Sequence, residues 1–192
     1  RHIGKQNGLE TNDIKTLYKD RIGNLWIGTN GSGLVRVNNT AFTYFNEING
    51  LNQNDIFGIA HDNDENLWVA TLHEGVFKFS GNISTQYSEK NGLVSNQTRA
   101  ILKTPDGKIW IATSKGLSVF ANGSFKNFTK ADGPPSNEIK SLAYDKKNNV
   151  LWIGTHGGGL SKYNFKTFTN FTTLDGLSHD YIHSLFLDKK GN

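Results

Sequence analysis

The chain has 192 residues, 20% of them charged and 35% hydrophobic, with a net charge of +4 at pH 7 and a mean hydropathy of -0.51. No run approaches the roughly 20 apolar residues of a bilayer helix, and no Gly-X-Y or heptad period appears, which excludes membrane-spanning helices, collagen and coiled coil. The positive excess forms no cluster and gives nucleic-acid binding little support, while the absence of Cys excludes thiol catalysis, Cys-ligated zinc and disulfides.

In chain order, residues 1–7 read as the end of an outer strand from a preceding unit. Residues 14–18 are a short β-rich run, 20–24 a turn and 25–29 a second strand. Residues 30–33 form another turn, 34–37 a third strand and 42–45 a fourth. The pattern then repeats. Trp26, Trp68, Trp110 and Trp152 recur every 42 residues. Each sits in one phrase: Leu25-Trp26-Ile27-Gly28-Thr29, Leu67-Trp68-Val69-Ala70-Thr71, Ile109-Trp110-Ile111-Ala112-Thr113 and Leu151-Trp152-Ile153-Gly154-Thr155. A second phrase precedes each: Asn7-Gly8-Leu9, Asn49-Gly50-Leu51, Asn91-Gly92-Leu93 and Asp132-Gly133-Pro134, with a further copy at Asp175-Gly176-Leu177.

Four short strands per unit of this length match a β-propeller blade. The predicted fold is all-β. It is a β-propeller fragment of four complete four-stranded blades plus partial blades at both ends, from a seven-bladed propeller. The blades are 8–49, 50–91, 92–132 and 133–175, and 176–192 supplies the first strand of the next. With no Met in the chain, Arg1 does not start translation, so the sequence reads as processed or as a piece of a longer one. The small column Thr16, Gly58, Ala100, Ser141 and Ser184 is predicted to pack near the ring axis. The four Trp residues are read as structural packing. Asp20, Asp62, Asp145 and Asp188 are read as turn residues whose carboxylates accept backbone N–H bonds.

The units Asn49-Gly-Leu-Asn-Gln-Asn-Asp-Ile56 and Asn66-Leu-Trp-Val-Ala-Thr71 resemble the two-component regulator propeller repeat, as do Asn7 to Ile14 and Gly157-Gly-Gly-Leu-Ser-Lys-Tyr163. Repeat three departs most, with Thr98 for Ile and Thr104 for Asp. The resemblance implies the periplasmic sensor region of a bacterial hybrid histidine kinase, non-catalytic in this segment. It implies an oligosaccharide ligand from glycan breakdown and relay to a cytoplasmic kinase. Partners would be the remaining blades, the downstream domains of the parent chain and a second receptor in a dimer. No cofactor and no metal are expected. The alternatives are an enzyme of streptogramin B lyase type, which uses His and a metal ion, and a passive protein-interaction scaffold.

By up-down strand geometry, the loop between the second and third strands and the loop leading into the first strand share one end of the ring. Ligands commonly bind at such mouths. A ligand breaks the symmetry of the ring, so positions that vary between blades are the candidate contacts: Lys15, Asn30, Phe57, His73, Glu74, Arg99, Lys115, Lys140 and His156. His183 is placed inside a first strand, and His179 in the other loop set. Gly157-Gly158-Gly159 precedes a strand rather than a helix and is read as a turn.

Overall fold

Turn chemistry cuts each unit into strands. In blade one, Gly23 (φ 96°) sits in the first turn and Gly33 (φ 73°) closes the second, both in the left-handed region that strains a residue with a Cβ. The computed structural model describes residues 4–38, 41–81 and 83–188. Blade one comprises β1 (Ile14–Lys19), β2 (Leu25–Thr29), β3 (Leu34–Asn38) and β4 (Ala41–Phe45). Blade two comprises β5 (Ile56–His61), β6 (Leu67–Thr71), β7 (Val76–Ser80) and β8 (Ile83–Tyr87). Blade three comprises β9 (Thr98–Lys103), β10 (Ile109–Thr113), β11 (Leu117–Ala121) and β12 (Ser124–Phe128). Blade four comprises β13 (Ile139–Asp145), β14 (Val150–Thr155), β15 (Leu160–Tyr163) and β16 (Phe168–Phe171). Each blade is an antiparallel meander paired in sequence order. The first strands β1, β5, β9 and β13 pack side by side in that order. A Cβ on Gly58 would meet the Ile101 backbone nitrogen at 2.9 Å, so the small column faces the tight contact between first strands at Gly58, while Ser184 of the same column is exposed and lies in no strand.

The Asn-Gly-Leu phrase has a physical job. It ends the 3-10 turns Glu47–Asn49, Glu89–Asn91, Lys130–Asp132 and Thr173–Asp175, which carry the chain from one blade to the next. The Asn or Asp side chain accepts the N–H of the residue that caps the turn, as Asn91 Oδ1 does from Ser88 at 2.9 Å. The Gly then takes a positive φ, and the following Leu51 or Leu93 is buried. Lys5–Asn7 is the same kind of turn rather than the end of an outer strand, and residues 1–3 of that expectation lie outside the described residues. Residues 181–188 form no strand, because a strand needs a ladder partner and the Leu-Trp phrase that supplies it occurs four times, once in each complete blade. Residues 189–192 of the expected fifth first strand lie outside the described residues.

The core lies between blades. Trp26 packs with Leu34 of its own blade against Leu51, Ile56, Ile59 and Phe77 of blade two. Trp68 packs against Ile109 and Ile111 of blade three, and Trp110 against Ile139, Leu151 and Ile153 of blade four. Each of these three is almost fully buried, which removes on the order of 150–250 Å² of apolar surface from water. Trp152 is only half-buried, with the Phe171 ring beside it and the Lys162 ammonium 5.9 Å from its ring centre. The opposite face shows the same thing. Ile14 and Leu17 of blade one are 36% and 62% exposed, whereas their counterparts Ile56 and Ile59, covered by blade one, are 0% and 5%.

A polar clasp fixes the indoles. Asp20 Oδ2 accepts the Trp26 indole N–H at 2.9 Å and the Asn24 amide at 2.7 Å, while Oδ1 accepts the Asn24 backbone N–H at 2.7 Å. Asp62, Asn66 and Trp68 repeat this. In blade three Thr104 takes the Asp position: its Oγ1 accepts from Trp110 at 3.2 Å and donates to Asp106 at 2.5 Å. In blade four an extra turn residue lengthens the spacing, and Asp145 accepts from the Lys147 and Asn148 backbones instead.

Candidate functional site

The loops after the second strands bond to the loops that lead into the first strands. Asn30 N–H donates to the Asp13 carbonyl, Leu72 to Asp55, Ser114 to Gln97 and His156 to Glu138, at 2.9–3.0 Å. Both loop sets therefore meet at one end of the sheets, as expected. Neighbouring blades are stitched at the same end, where Gly33, Gly75 and Gly159 donate to the Asn54, Asn96 and Asp180 carbonyls of the following unit.

At this end each first strand carries a β-bulge. Pairing steps from Ile14↔Thr29 to Thr16↔Gly28, from Ile56↔Thr71 to Gly58↔Ala70, from Thr98↔Thr113 to Ala100↔Ala112, and from Ile139↔Thr155 to Ser141↔Gly154. The extra residues are Lys15, Phe57, Arg99 and Lys140. A bulge re-aims its side chain and recurs next to functional sites. The column freed from the ladder thus changes between blades from Lys to Phe to Arg and back to Lys.

These side chains form two groups. In blade one, Lys15 Nζ stands 3.0 Å from Asp13 Oδ1, and the Asn30 amide donates to Asp13 Oδ2 at 2.8 Å. Lys15 first and Asn30 second hold the Asp13 carboxyl below its usual range. The second group crosses blades two to four. The Arg99 guanidinium lies 5.4 Å from the centre of the Phe57 ring. Its Nε is buried and finds no partner among the described residues. Glu138 binds Lys140 Nζ at 2.5 Å and faces His156 Nδ1 at 3.6 Å. The Lys140 ammonium chiefly, with His156 and Arg99 behind it, holds the Glu138 carboxyl below its usual range. His156 meets the Tyr181 ring edge-on at 4.3 Å, and His179 stacks on the same ring at 4.6 Å.

Three candidates stand apart. Glu74 accepts from Gln86 of the outer strand at 3.0 Å, and Lys115 pairs with Glu89 of the inter-blade turn at 3.2 Å. Both pair with the fourth strand of blade two or the turn that follows it. His73 is exposed and joins neither group. His179 corrects the sequence reading: it belongs to this mouth, because β16 and the turn Thr173–Asp175 return the chain to the same end. The sequence search missed Asp13, Glu138 and Tyr181. The signal was an acceptor column, Asp13, Asp55, Gln97 and Glu138, two residues before each bulge and thus on the same side of the strand. Among the described residues no three His, Asp or Glu side chains stand close enough to hold a metal ion.

The model of the two component regulator propeller matches residues 8–31, 50–73, 92–115 and 133–157, together half of the chain. No curated protein matches. Among solved structures, the extracellular domain of a hybrid two component system from B. thetaiotaomicron is similar at 25% identity and TM-score 0.81, covering 96% of this chain and 26% of that one. The extracellular domain of a one component system from the same organism is similar at 23% identity and TM-score 0.68, covering 85% of this chain and 24% of that one. The chain thus spans about a quarter of the length of those domains. Virginiamycin B lyase from Staphylococcus aureus shares the fold at 14% identity and TM-score 0.68, covering 83% of this chain and 55% of the lyase. The four family matches fall one to a blade, each spanning a bulge and a Trp phrase, and the chain belongs to the two-component regulator propeller family.

Proposed function

We propose that this chain is a ligand-binding sensor module of a two-component receptor, placed outside the cytoplasm in the bacterial periplasm and non-catalytic in this segment. The observation that carries the reading is the bulge column. Four equivalent positions, freed from the sheet and occupied by Lys, Phe, Arg and Lys, line one end of a fold that the family uses in such receptors. The ligand class is an oligosaccharide. Phe57 offers an apolar ring, and Arg99, Lys140, Glu138, Asn30 and His156 offer donors and acceptors for hydroxyls. Completion of the ring to seven blades, and relay to a kinase through the parent chain or its dimer, belong to the same proposal. A bound sugar shifts output only through its differential affinity for two receptor states. The similar lyase supports the fold alone.

The test uses the full-length receptor in vesicles, titrated with a panel of neutral and acidic oligosaccharides while autophosphorylation is followed. A saturable change in phosphorylation supports the reading. Binding without any change rejects the relay, and the absence of binding rejects the ligand.

A further inference from the structure

At the end opposite the mouth, blades three and four leave a cleft of about 310 Å³ between them, lined by Thr104, Pro105, Asp106 and Lys108 on one side and Tyr144, Asn149 and Phe165 on the other. This is the size range of small-molecule sites. The repeat is broken on both walls. Thr104 replaces the clasp Asp in blade three, and blade four carries the extra residue in the turn that contains Asn149.

Phe165 is the clearest break. The matching positions in the β7–β8 and β11–β12 turns are Gly81 (φ 60°) and Asn122 (φ 51°), residues suited to the left-handed region. Blade four puts a Phe there at φ 66°. A bulky residue in that region is a genuine outlier. Local preference therefore argues against Phe165, and its ring reaches back to Trp110, Tyr163 and Tyr144, at 5.9, 5.5 and 6.2 Å between centres. Positions that break a local rule concentrate at functional sites.

The chemistry of the walls narrows the ligand. Tyr144 and Phe165 give an aromatic side. Asp106 and Lys108 pair at 2.6 Å, so their charges cancel. The Tyr144 hydroxyl donates to Asn149 Oδ1 at 2.8 Å, leaving the Asn149 amide donors for a ligand, and Asp106 Oδ1 takes the Thr104 hydroxyl while Oδ2 takes Lys108, leaving an Oδ2 lone pair as acceptor. An apolar wall facing neutral, closely spaced donors and acceptors fits one ring with an apolar face and a hydroxylated edge.

We propose that this cleft is a second binding site, separate from the mouth, for a neutral pyranose unit. The proposal rests on the sugar-binding reading above for the ligand's origin, and on the cleft itself for its chemistry. The test is saturation-transfer NMR on the full-length chain with methyl β-glucopyranoside, methyl β-galactopyranoside and methyl α-mannopyranoside, and with glucuronate as the charged probe. The variants are Phe165→Asn, which installs the residue of blade three, and Arg99→Ala at the mouth. Transfer to a neutral glycoside that falls at least tenfold in Phe165→Asn and persists in Arg99→Ala supports the cleft, and leaves the mouth without a sugar. A partial fall in each variant supports both sites. Transfer lost in Arg99→Ala and unchanged in Phe165→Asn overturns the cleft and leaves the mouth reading standing. No transfer to any neutral glycoside, or transfer to glucuronate alone, overturns the cleft. Phe165→Asn relieves backbone strain, so loss of binding with an unchanged melting temperature cannot be assigned to unfolding.

Discussion

The Trp68 indole N–H donates to Asp62 Oδ2 at 3.0 Å, and the same carboxylate accepts the Asn66 side chain and backbone and meets Lys78 at 3.2 Å. One buried carboxylate thus ties the first turn of blade two to the aromatic residue that packs on blade three. Asp62→Ala leaves the indole and the Asn66 amide without their acceptor. Hydrogen bonds to a charged group contribute about 1.5–3 kcal/mol each in buried settings, so a loss of about 3 kcal/mol is expected. Urea denaturation followed by Trp fluorescence measures it. In blade three the indole is held by Thr104, so Asp106→Ala is expected to cost about 1 kcal/mol.

The same clasp sets an acid limit. Burial pushes the Asp62 carboxyl up, but the bonds from Trp68, Asn66 and Lys78 outweigh it and hold the pKa at about 2, below the ordinary 3.8. A carboxylate with a lowered folded pKa stabilises fully above its unfolded value, and that contribution is lost as pH falls through the folded one. Between pH 3.8 and about 2 the chain is expected to lose about 2 kcal/mol from this group. Comparing denaturation midpoints of wild type and Asp62→Asn across that window checks it. A slope equal in both proteins contradicts the assignment.

His61 is a position where the fold is expected to improve. Its ring stacks on Tyr18 at 5.3 Å and lies 6.1 Å from Trp26, while its buried Nδ1 finds no partner among the described residues. His61→Phe keeps the stacking and removes an unsatisfied polar atom. Stability is expected to rise by about 1 kcal/mol, read as a higher melting temperature. A lower one would contradict the reading of Nδ1 as an unsatisfied atom.

Gly75 closes the second turn of blade two at φ 77°, and a Cβ there would lie 2.2 Å from the Tyr87 carbonyl oxygen. Gly75 also donates its N–H to Asn96 of the next unit. Gly75→Ala is expected to cost more than about 2 kcal/mol and to loosen the junction of blades two and three. Hydrogen exchange at the Gly75 and Leu93 amides tests this. Protection unchanged at both would contradict it.

The strands were legible because the repeat aligns four copies of each phrase, so one noisy pattern becomes four agreeing ones. Boundaries in blade one fall within a residue of expectation. The turn role of the Asp column was legible too, since carboxylates commonly accept turn N–H groups. The Trp bond was not, because it depends on how the indole is rotated between two sheets. The mouth was half legible. Variation marked Lys15, Phe57, Arg99 and Lys140, but the search for variation passed over the acceptors that answer them. Glu74 and Lys115 vary for another reason: each pairs locally with an outer element, which only the fold brings within reach.

The central claim is that the bulge column at the mouth binds the ligand. Isothermal titration of the full-length receptor with the oligosaccharide that most changes its phosphorylation tests it most directly, in wild type and Arg99→Ala. Arg99 packs on Phe57 without an ion pair among the described residues, so its loss should leave the melting temperature nearly unchanged. The account predicts saturable binding that weakens at least tenfold in the variant. Equal affinity in the two proteins would contradict it.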